Sequence, residues 1–352
     1  MKRSHCIHYI LMLILIVLFS CKKDNNNTIN KTDSLLGQKE LINASFTNIP
    51  VHSIVVDLSG AKWIGTDAGL FLLKGNQFYE FSYFKDKKIN SLIKSKSNIL
   101  VSSSSGAYTI QATASSTSLV DSLNKTMIGG NDNFISVYGM DIFNKKWLGS
   151  PKGLAHFNDT IWKWNDEIRN NMGGVTDVRS MAFRTKDCFF GTYGNFLYHV
   201  YFKTTGNVDA ITGASQMLGG AHNPVNNYNG ELTTDTIFCL FASSEGSIWF
   251  GSKTGLTRNI GGTNSHNQEG VFEYFLRKQR VHSLLETSAK VMWAGTENGI
   301  SVKTGSDWTN YNISNGLPGN IVYSIAEDTD LSIWIGTNHG IAHFMNNKWE
   351  KY

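Results

Sequence analysis

A short motif recurs seven times along this chain, and no other feature restricts the possible folds so strongly. It starts with a large apolar residue, and glycine and a hydroxyl residue usually follow two and three positions later, as in 63–66, WIGT. The seven copies begin at Trp63, Leu100, Trp147, Phe189, Trp249, Trp293 and Trp334. Successive copies are 37 to 60 residues apart. Repeats of about 40 to 45 residues are typical of the four-stranded blades of a β-propeller.

Individual positions of the motif suggest why the repeat is kept. The third position is glycine in six copies and Ser102 in the other, which predicts that neighbouring blades approach too closely there for most side chains. The fourth position is Ser or Thr in all seven copies. The seventh position is glycine in six copies and Asn195 in the remaining one. Glycine and asparagine tolerate positive φ better than other residues, so this position predicts a tight turn.

A second repeated position lies about ten to twelve residues before the glycine of the motif, inside a short apolar stretch. It holds Ser53, Ser91, Ser136, Ser180, Cys239, Ser283 and Ser324. Small residues suit inner strands that crowd towards a propeller axis, and apolar and then aromatic segments follow each glycine turn. The sequence therefore predicts an all-β fold, a single seven-bladed β-propeller of four-stranded blades over residues 45–352. Either end of the chain can supply the outer strand that closes the ring.

Two copies resemble a known repeat. Residues 327–341, EDTDLSIWIGTNHGI, and residues 57–70 are similar to the two-component regulator propeller repeat, with the pattern D-x-x-G-x-[IL]-W-[IF]-G-T-x-x-G-[LI]. In that family the repeats form periplasmic sensor regions of hybrid histidine kinases, which often recognise glycan fragments. Such sensors commonly carry two propellers with a kinase behind them, whereas this sequence holds one propeller and ends at Tyr352. The resemblance thus implies a sensor-like recognition module, which we expect to lack kinase output.

The first residues predict export. Lys2 and Arg3 precede an apolar run, and Cys21 follows Leu-Phe-Ser, the arrangement of a secretory signal that resembles a bacterial lipobox. We expect residues 1–20 to be a lipoprotein signal peptide and residues 21–44 to be a lipidated cysteine with a flexible tether. Lys-Lys-Asp after the cysteine resembles lipoproteins of the Bacteroidota and predicts an outer-membrane protein facing the periplasm or the surface. The alternative is an ordinary signal peptide or a short anchor helix.

Charge and cysteine content exclude several classes of function. The chain has 32 basic and 28 acidic residues, and removal of residues 1–20 would leave 30 and 28, so no electrostatic footprint for nucleic acid is predicted. Beyond the leader and Cys21 only Cys188 and Cys239 remain. An oxidising compartment would permit a disulfide, but we expect two buried, unpaired thiols. No pair of cysteines has the spacing of a metal site.

Motifs that carry chemistry are scarce in this sequence. It contains no G-x-S-x-G elbow, no H-E-x-x-H and no calcium loop, and we predict neither cofactor nor metal. Asp328 and Asp330 fall in a turn between strands, where aspartate is favoured for turn geometry. This favours a binding protein over an enzyme, although an enzyme whose acids and bases come from separate blades stays open.

One face of the predicted propeller gathers candidate binding residues. The position just before the small inner-strand residue is polar or aromatic in most repeats, and the loop after the motif emerges on the same face. These two places supply His52, Asn90, Arg179, His282 and Tyr323, together with Asp67, Lys152, Tyr193, Lys253, Glu297 and His339. Aromatic platforms with a few charged groups suit sugars or polar metabolites. The alternative is that these side chains pack between blades or line a wet channel.

The longest interval between repeats predicts an insertion over about residues 203–235, rich in Gly, Asn and Thr. Loops of this length are functional or mobile, and we expect a lid or partner contact on the candidate face.

Together these features predict a lipid-anchored propeller that binds a glycan, a peptide or an envelope protein partner. A propeller lyase or hydrolase acting on an extracellular polysaccharide or small molecule is the first alternative, and a structural component of an envelope assembly is the second.

Overall fold

The computed structural model describes residues 39–42, 45–112, 117–123, 134–141, 143–157, 162–164, 177–184, 187–194, 197–202, 211–216, 236–260 and 271–352. The predicted signal peptide and lipidated Cys21 lie outside these residues. None of the described segments forms a helix with the length and hydropathy that crossing a membrane requires.

In the part of the chain that the structure describes, twenty-nine strands form seven antiparallel sheets, which are the blades of the propeller. Blades 1 to 4 contain β2 Val51–Val56, β3 Lys62–Thr66, β4 Leu70–Lys74 and β5 Gln77–Phe81; β6 Ile89–Ser95, β7 Asn98–Ser103, β8 Gly106–Ala112 and β9 Thr117–Leu123; β10 Val137–Met140, β11 Lys146–Ser150, β12 Gly153–Phe157 and β13 Trp162–Trp164; and β14 Asp177–Phe183, β15 Asp187–Tyr193, β16 Leu197–Phe202 and β17 Ile211–Gln216. Blades 5 to 7 contain β18 Ile237–Ala242, β19 Ile248–Ser252, β20 Leu256–Ile260 and β21 Val271–Phe275; β22 Val281–Glu286, β23 Met292–Thr296, β24 Gly299–Thr304 and β25 Asp307–Tyr311; and β26 Val322–Glu327, β27 Ile333–Thr337, β28 Gly340–Met345 and β29 Lys348–Lys351. Within the described residues, the 3-10 turns Ser82–Phe84 and Ile313–Asn315 follow the outer strands of blades 1 and 6.

The blades form a closed ring. Within each blade the strands follow chain order from the axis outwards, except that β1 lies outermost in blade 1. The innermost strand of every blade contacts that of the next, including β26 with β2. The predicted seven-bladed all-β propeller is confirmed. All four strands of blade 7 come from residues 322–351. The C-terminal end therefore supplies the outer strand of the last blade, and the ring closes by packing between two complete blades.

Blade 1 carries one strand more than the others. β1, Lys39–Ile42, pairs antiparallel with the outer strand β5, with Lys39 opposite Phe81 and Ile42 opposite Phe78. These four residues lie within the segment that we expected to be a flexible tether, and they belong to the first sheet. The added strand covers a sheet edge that would otherwise expose unpaired backbone groups.

The glycine at the third motif position is explained by the neighbouring blade. A Cβ at Gly65 would lie 2.6 Å from Ile89 Cγ2, and one at Gly149 would lie 2.7 Å from Val178 Cγ1. The corresponding distances to a β-branched side chain of the next blade are 2.6 to 2.8 Å at Gly191, Gly251, Gly295 and Gly336. The predicted close approach between blades is thereby confirmed.

The small residues of the inner strands do more than save space. Ser53 Oγ accepts a hydrogen bond from Leu92 N–H at 2.9 Å, and Ser283 Oγ donates to Val322 O at 3.4 Å. In blade 5 the same link is a weaker contact from Cys239 Sγ to a backbone oxygen 3.7 Å away. Each bond joins the inner strands of two blades, so hydroxyls at this position help hold the ring together.

Blade 3 departs from the predicted register. Val137 pairs with Gly149 as Ser53 pairs with Gly65, so Val137 occupies the position that we assigned to Ser136. Ser136 therefore lies one residue nearer the candidate face. The register was assigned from the nearest serine, and that criterion fails where a valine stands in the small position.

Aspartates in the turns between the first and second strands support the motif tryptophans. The indole N–H of Trp63 donates to Asp57 Oδ2 at 2.9 Å, and Trp334 donates to Asp328 Oδ2 at 3.0 Å. Blade 3 repeats this arrangement. Asp330 accepts hydrogen bonds from Ser332 in the same turn, so the predicted structural role of Asp328 and Asp330 is confirmed.

The hydroxyl and glycine positions of the motif form one turn. Thr66 Oγ1 accepts from the N–H of Ala68 at 3.0 Å and donates to Gly69 O at 3.1 Å, while Gly69 has φ +149°. The glycines of five other blades also have positive φ at this position. The predicted turn is confirmed for these copies, and Asn195 lies outside the described residues.

Two further predictions concern blades 4 and 5. Cys188 and Cys239 are both free thiols, as expected, but only Cys188 is buried, while Cys239 is half-buried. Residues 211–216 of the predicted insertion form β17, the outer strand of blade 4, and the remainder of 203–235 lies outside the described residues.

Candidate functional site

A cavity of about 330 Å³ opens at the propeller axis. It lies on the face where each inner strand begins. Its lining consists of His52, Lys88, Asn90, Phe134, Ser136, Arg179, Tyr193, Phe238, His282 and Tyr323. We call it the axial cavity.

A β-bulge places these side chains. In six blades the pairing of the first two strands skips one residue, as between Val51 and Ser53 in blade 1. The skipped residues are His52, Asn90, Arg179, Phe238, His282 and Tyr323, and each lines the axial cavity. Bulges redirect a side chain out of the regular strand alternation. Six blades therefore deliver one side chain each to the same opening.

The residues on either side of the bulge are uniform. The preceding residue is buried and β-branched in all seven blades: Val51, Ile89, Ile135, Val178, Ile237, Val281 and Val322. The following residue is small, with Val137 the largest. Between them the cavity position holds His, Asn, Ser, Arg, Phe, His and Tyr in order around the ring.

Four rings form a continuous aromatic arc on one side of the axial cavity. The ring centroids of Phe238 and His282 are 5.2 Å apart, those of His282 and Tyr323 are 5.6 Å apart, and those of Tyr323 and His52 are 5.4 Å apart. The arc crosses blades 5, 6, 7 and 1, so it also spans the point where the ring closes.

The opposite side of the cavity carries most of its polar side chains, beside Phe134 and Tyr193. Asn90 Nδ2 donates to Ile135 O at 2.7 Å, which leaves the amide oxygen available. The Oγ of Ser136 is buried and has no hydrogen-bond partner in the described part of the chain. Arg179 is paired with Asp177, and its guanidinium lies 5.6 Å from the centre of the Tyr193 ring.

His52 is held in one tautomer and is neutral. Its Nε2 lies 2.9 Å from Asp67 Oδ1, and a carboxylate oxygen only accepts, so Nε2 carries the proton. Burial lowers the pKa of His52 below 6.5, and the hydrogen bond to Asp67 only partly offsets this effect. Burial acts to raise the pKa of Asp67, but hydrogen bonds from Lys88 and His52 outweigh it and lower the pKa. Lys88 Nζ is 2.8 Å from the same Asp67 oxygen.

His282 has a similar environment with a longer contact. Its Nε2 lies 3.8 Å from Glu297 Oε1, too far for a hydrogen bond, because Glu297 pairs with Arg280 at 2.7 Å. Burial lowers the pKa of His282, and Glu297 opposes that shift. Burial raises the pKa of Tyr323, and Asp67 and Glu297 add to that effect. His52, His282 and Tyr323 are therefore uncharged near neutral pH.

The structure sorts the candidate residues predicted from the sequence. Five of them belong to the cavity position, and these line the axial cavity: His52, Asn90, Arg179, His282 and Tyr323. Of the loop residues, Tyr193 lines it, while Asp67 and Glu297 lie behind the two histidines. Lys152, Lys253 and His339 do not line it; Lys152 and His339 are one position further along the loop than Asp67.

Four lining residues were not proposed as binding residues. Phe238 stands at the cavity position and its repeat column predicts it. Ser136 is missed because of the register shift in blade 3. Lys88 and Phe134 lie two residues before the cavity position, where the repeats share no pattern, so no sequence signal identifies them.

The chemistry available in the axial cavity is recognition of a polar molecule, with acid–base groups on the rim. The three ion pairs at its edge neutralise one another: Lys88 with Asp67, Arg280 with Glu297, and Arg179 with Asp177. Among the described residues there is no group of three or more His, Cys, Asp or Glu side chains arranged to hold a metal ion.

Comparison with known proteins agrees with this architecture. Residues 316–339 match the family Two component regulator propeller. No curated protein matches the sequence. The fold is similar to the extracellular domain of a hybrid two component system from B. thetaiotaomicron, at 21% identity and a TM-score of 0.64 over 85% of this chain and 39% of that one.

Other solved propellers share the fold at lower identity. A streptogramin B lyase matches at 14% identity and a TM-score of 0.60, covering 90% of this chain and 98% of the lyase. The WD40 β-propeller domain of Doa1 matches at 12% identity and a TM-score of 0.57 over 85% of this chain and 94% of that domain. At such identities the likeness concerns the fold alone. The chain is therefore a seven-bladed β-propeller, and its residues 316–339 are similar to the two component regulator propeller repeat.

Proposed function

We propose that this protein is an exported recognition module that binds a small, uncharged, polyhydroxylated molecule, such as one or two sugar units of a glycan, in the axial cavity. One observation supports this most directly. Around the ring, the residues before and after the bulge keep one chemical type, while the residue at the bulge changes from blade to blade. If the repeat had only a structural role, nothing would require variation to be confined to the side chains that reach the opening. In a binding surface, those are the side chains that must differ.

The composition of the axial cavity favours a sugar. An aromatic arc on one side offers the flat apolar surface on which the C–H face of a pyranose packs, and Asn90, Ser136 and Arg179 on the other side offer groups for its hydroxyls. Two buried atoms in this cavity lack partners among the described residues, Ser136 Oγ and His282 Nε2. Buried polar atoms are normally satisfied, and a ligand reaching across the axis would supply both hydrogen bonds.

Charge and size narrow the ligand further. Among the described residues, the ion pairs at the rim leave no carboxylate or cation of the cavity edge without an opposite charge, so we infer an uncharged ligand. A volume of about 330 Å³ lies at the lower end of the range of small-molecule sites. It suits the end of a chain or a short fragment rather than a long oligosaccharide.

The location is part of the proposal. Lipidation of Cys21 would tether the propeller to the outer membrane, facing the periplasm or the cell surface. Mass analysis of the protein purified from membranes tests this, because a diacylated Cys21 and the loss of residues 1–20 would both be visible. Cys21→Ser should release the protein into the soluble fraction, and retention of that variant in the membrane would contradict lipid anchoring.

Thermal unfolding against a panel of neutral oligosaccharides, acidic oligosaccharides and peptides tests the binding function. A ligand that binds only the folded state raises the melting temperature by mass action. We expect a saturable rise with a neutral sugar, strongly reduced in Tyr323→Ala and Arg179→Ala. Lys253→Ala is the matched control, because Lys253 is exposed and does not line the axial cavity.

Each alternative result has a meaning. A shift that is equal in Tyr323→Ala and in the control would place binding elsewhere. No shift across the panel would overturn the small-ligand proposal and favour an envelope protein partner, to be sought by crosslinking in whole cells.

One observation favours catalysis as the second candidate. His52 is neutral near pH 7 and hydrogen-bonded to Asp67, an arrangement that suits a general base. If the protein is an enzyme, incubation with the bound sugar or its polymer will release a product, and His52→Gln will abolish that release while retaining binding. Binding without product would leave recognition as the function.

A further inference from the structure

We propose that a groove between blades 5 and 6, on the face opposite the axial cavity, is a second binding site for an apolar molecule that carries one carboxylate. The groove has a volume of about 730 Å³. Its lining consists of Ser244, Glu245, Trp249, Arg258, Glu286, Lys290, Val291, Met292, Lys303 and Gly305. We call it the lateral groove.

The comparison with blades 1, 3 and 7 shows what is unusual at Trp249. In those blades the residue six positions before the motif tryptophan is an aspartate, which accepts the indole N–H at 2.9 to 3.1 Å. In blade 5 that residue is Ser243, whose Oγ instead accepts from Ser247 N–H at 3.1 Å. Trp249 is 3% exposed, and its Nε1 has no partner within the described segments.

At the interface between blades 7 and 1, the protein's own side chains fill the equivalent groove. There Lys62 forms an ion pair with Asp328 and lies 5.0 Å from the centre of the Trp334 ring. At the seam between blades 5 and 6 the residue equivalent to Lys62 is Met292. The exchange of aspartate for Ser243 and of lysine for Met292 removes both groups that would occupy the space, and an unsatisfied donor is left behind.

Contacts within the protein fix the shape of the lateral groove before any ligand binds. Arg258 pairs with Glu245 and Glu273 and lies 5.4 Å from the centre of the Trp249 ring. Glu286 accepts a hydrogen bond from Ser244 N–H at 2.9 Å, which joins the turns of the two blades. Trp249 stacks on Phe275 with ring centroids 5.4 Å apart. The indole is therefore held rigidly between blades.

The lining predicts the chemistry of the ligand. Trp249 Nε1 requires an acceptor oxygen, and Val291 and Met292 provide an apolar surface beside it. Arg258 already pairs with Glu245 and Glu273, and Glu286 already accepts a hydrogen bond from Ser244 N–H. Lys290 and Lys303 form no ion pair with any carboxylate in the described part of the chain, although Lys303 Nζ donates a hydrogen bond to Gly305 O. These two ammonium groups are therefore the positive charges of the groove that a ligand carboxylate can pair with. An acceptor with a negative charge next to an apolar group matches all three features.

The indole N–H signals of Trp249 and the other tryptophans provide a direct test, with N-acetyl-leucine as the probe. The chain has nine tryptophans, so a spectrum of protein labelled with ¹⁵N-tryptophan resolves individual indoles, and Trp249→Phe assigns the relevant signal. We expect the Trp249 signal to move downfield in a saturable way with N-acetyl-leucine. N-acetyl-leucinamide, which lacks the charge, should bind several-fold more weakly.

Two variants test the assigned roles. Ser243→Asp restores the internal acceptor found in three other blades and should abolish the shift, while Lys290→Gln should weaken binding several-fold. In both, the unchanged signals of the other tryptophans report an intact fold. Arg179→Ala, in the axial cavity, should leave this titration unaffected, so the two sites are tested independently. A Trp249 signal that does not move, or moves equally with the amide, would overturn the proposal.

Discussion

The hydroxyl of Ser324 accepts a hydrogen bond from the backbone N–H of Ile54 at 2.7 Å, although the two residues are 270 positions apart in the sequence. The same hydroxyl lies 3.5 Å from Ile54 O. This pair joins the last blade to the first, where no covalent connection and no exchanged strand holds them together.

Ser324→Ala should destabilise the protein by about 1–3 kcal/mol, because the buried N–H of Ile54 loses its acceptor. The free energy of unfolding from urea titration measures this. Ser180→Ala is the control, since Ser180 occupies the same position in blade 4 and its Oγ has no partner among the described residues. Equal losses in the two variants would show that the hydrogen bond is not the cause.

Gly65→Ala should also destabilise the fold, by about 1–3 kcal/mol, because the new methyl group overlaps Ile89 of the next blade. Shortening the opposing side chain should relieve part of this cost. We therefore expect Gly65→Ala to cost less in an Ile89→Ala background than in the wild type, as measured in a double-mutant cycle. Additive effects of the two substitutions would contradict direct contact between these positions.

The two free thiols should resist alkylation in the folded protein. Burial raises the pKa of Cys239 to about 12 and holds that of Cys188 well above its usual value, and the thiolate is the reactive form. Iodoacetamide labelling followed by peptide mapping should show both sites unmodified under native conditions and labelled in urea. Rapid native labelling of Cys239 would contradict its raised pKa.

Acidification should destabilise the protein through His52 and His282. Burial lowers the pKa of both below 6.5 in the folded state, so the unfolded state binds more protons as the pH falls through that value. Their contribution to stability is complete above pH 6.5 and decreases below it. His199, whose pKa burial also lowers, adds to the same trend.

The double variant His52→Gln/His282→Gln tests this assignment. The difference in the free energy of unfolding between about pH 7.5 and about pH 5.5 should be smaller in the variant than in the wild type. An unchanged difference would show that other groups dominate the acid response.

The repeat made the fold predictable because its constraints are local to each copy. Gly149 and Ser150 stand in the sequence where contact with the next blade and a turn require them, so seven copies define seven blades. The number of strands in blade 1 was not predictable in the same way. β1 pairs with β5 through backbone groups, and Lys39–Ile42 share no pattern with the repeat.

The residues of the axial cavity were predicted correctly only where the register of the repeat had been assigned correctly. His52, Asn90, Arg179, His282 and Tyr323 follow from the repeat column, since a bulge beside a small residue recurs in each of their blades. Ser136 was misplaced because Val137 fits the small position while a serine stands next to it. The lateral groove could not be predicted, since the missing partner of Trp249 is evident only when the hydrogen bonds of the equivalent tryptophans are compared.

The position of β1 determines how the whole disc can be presented. A chain that joins the ring at Lys39 does so at the circumference, on the outermost strand of blade 1. An attachment through the preceding residues would therefore hold the propeller at the outer edge of blade 1. Both flat sides would then face solvent at the same time, and a ligand at the axis would not obstruct a second molecule on the reverse side.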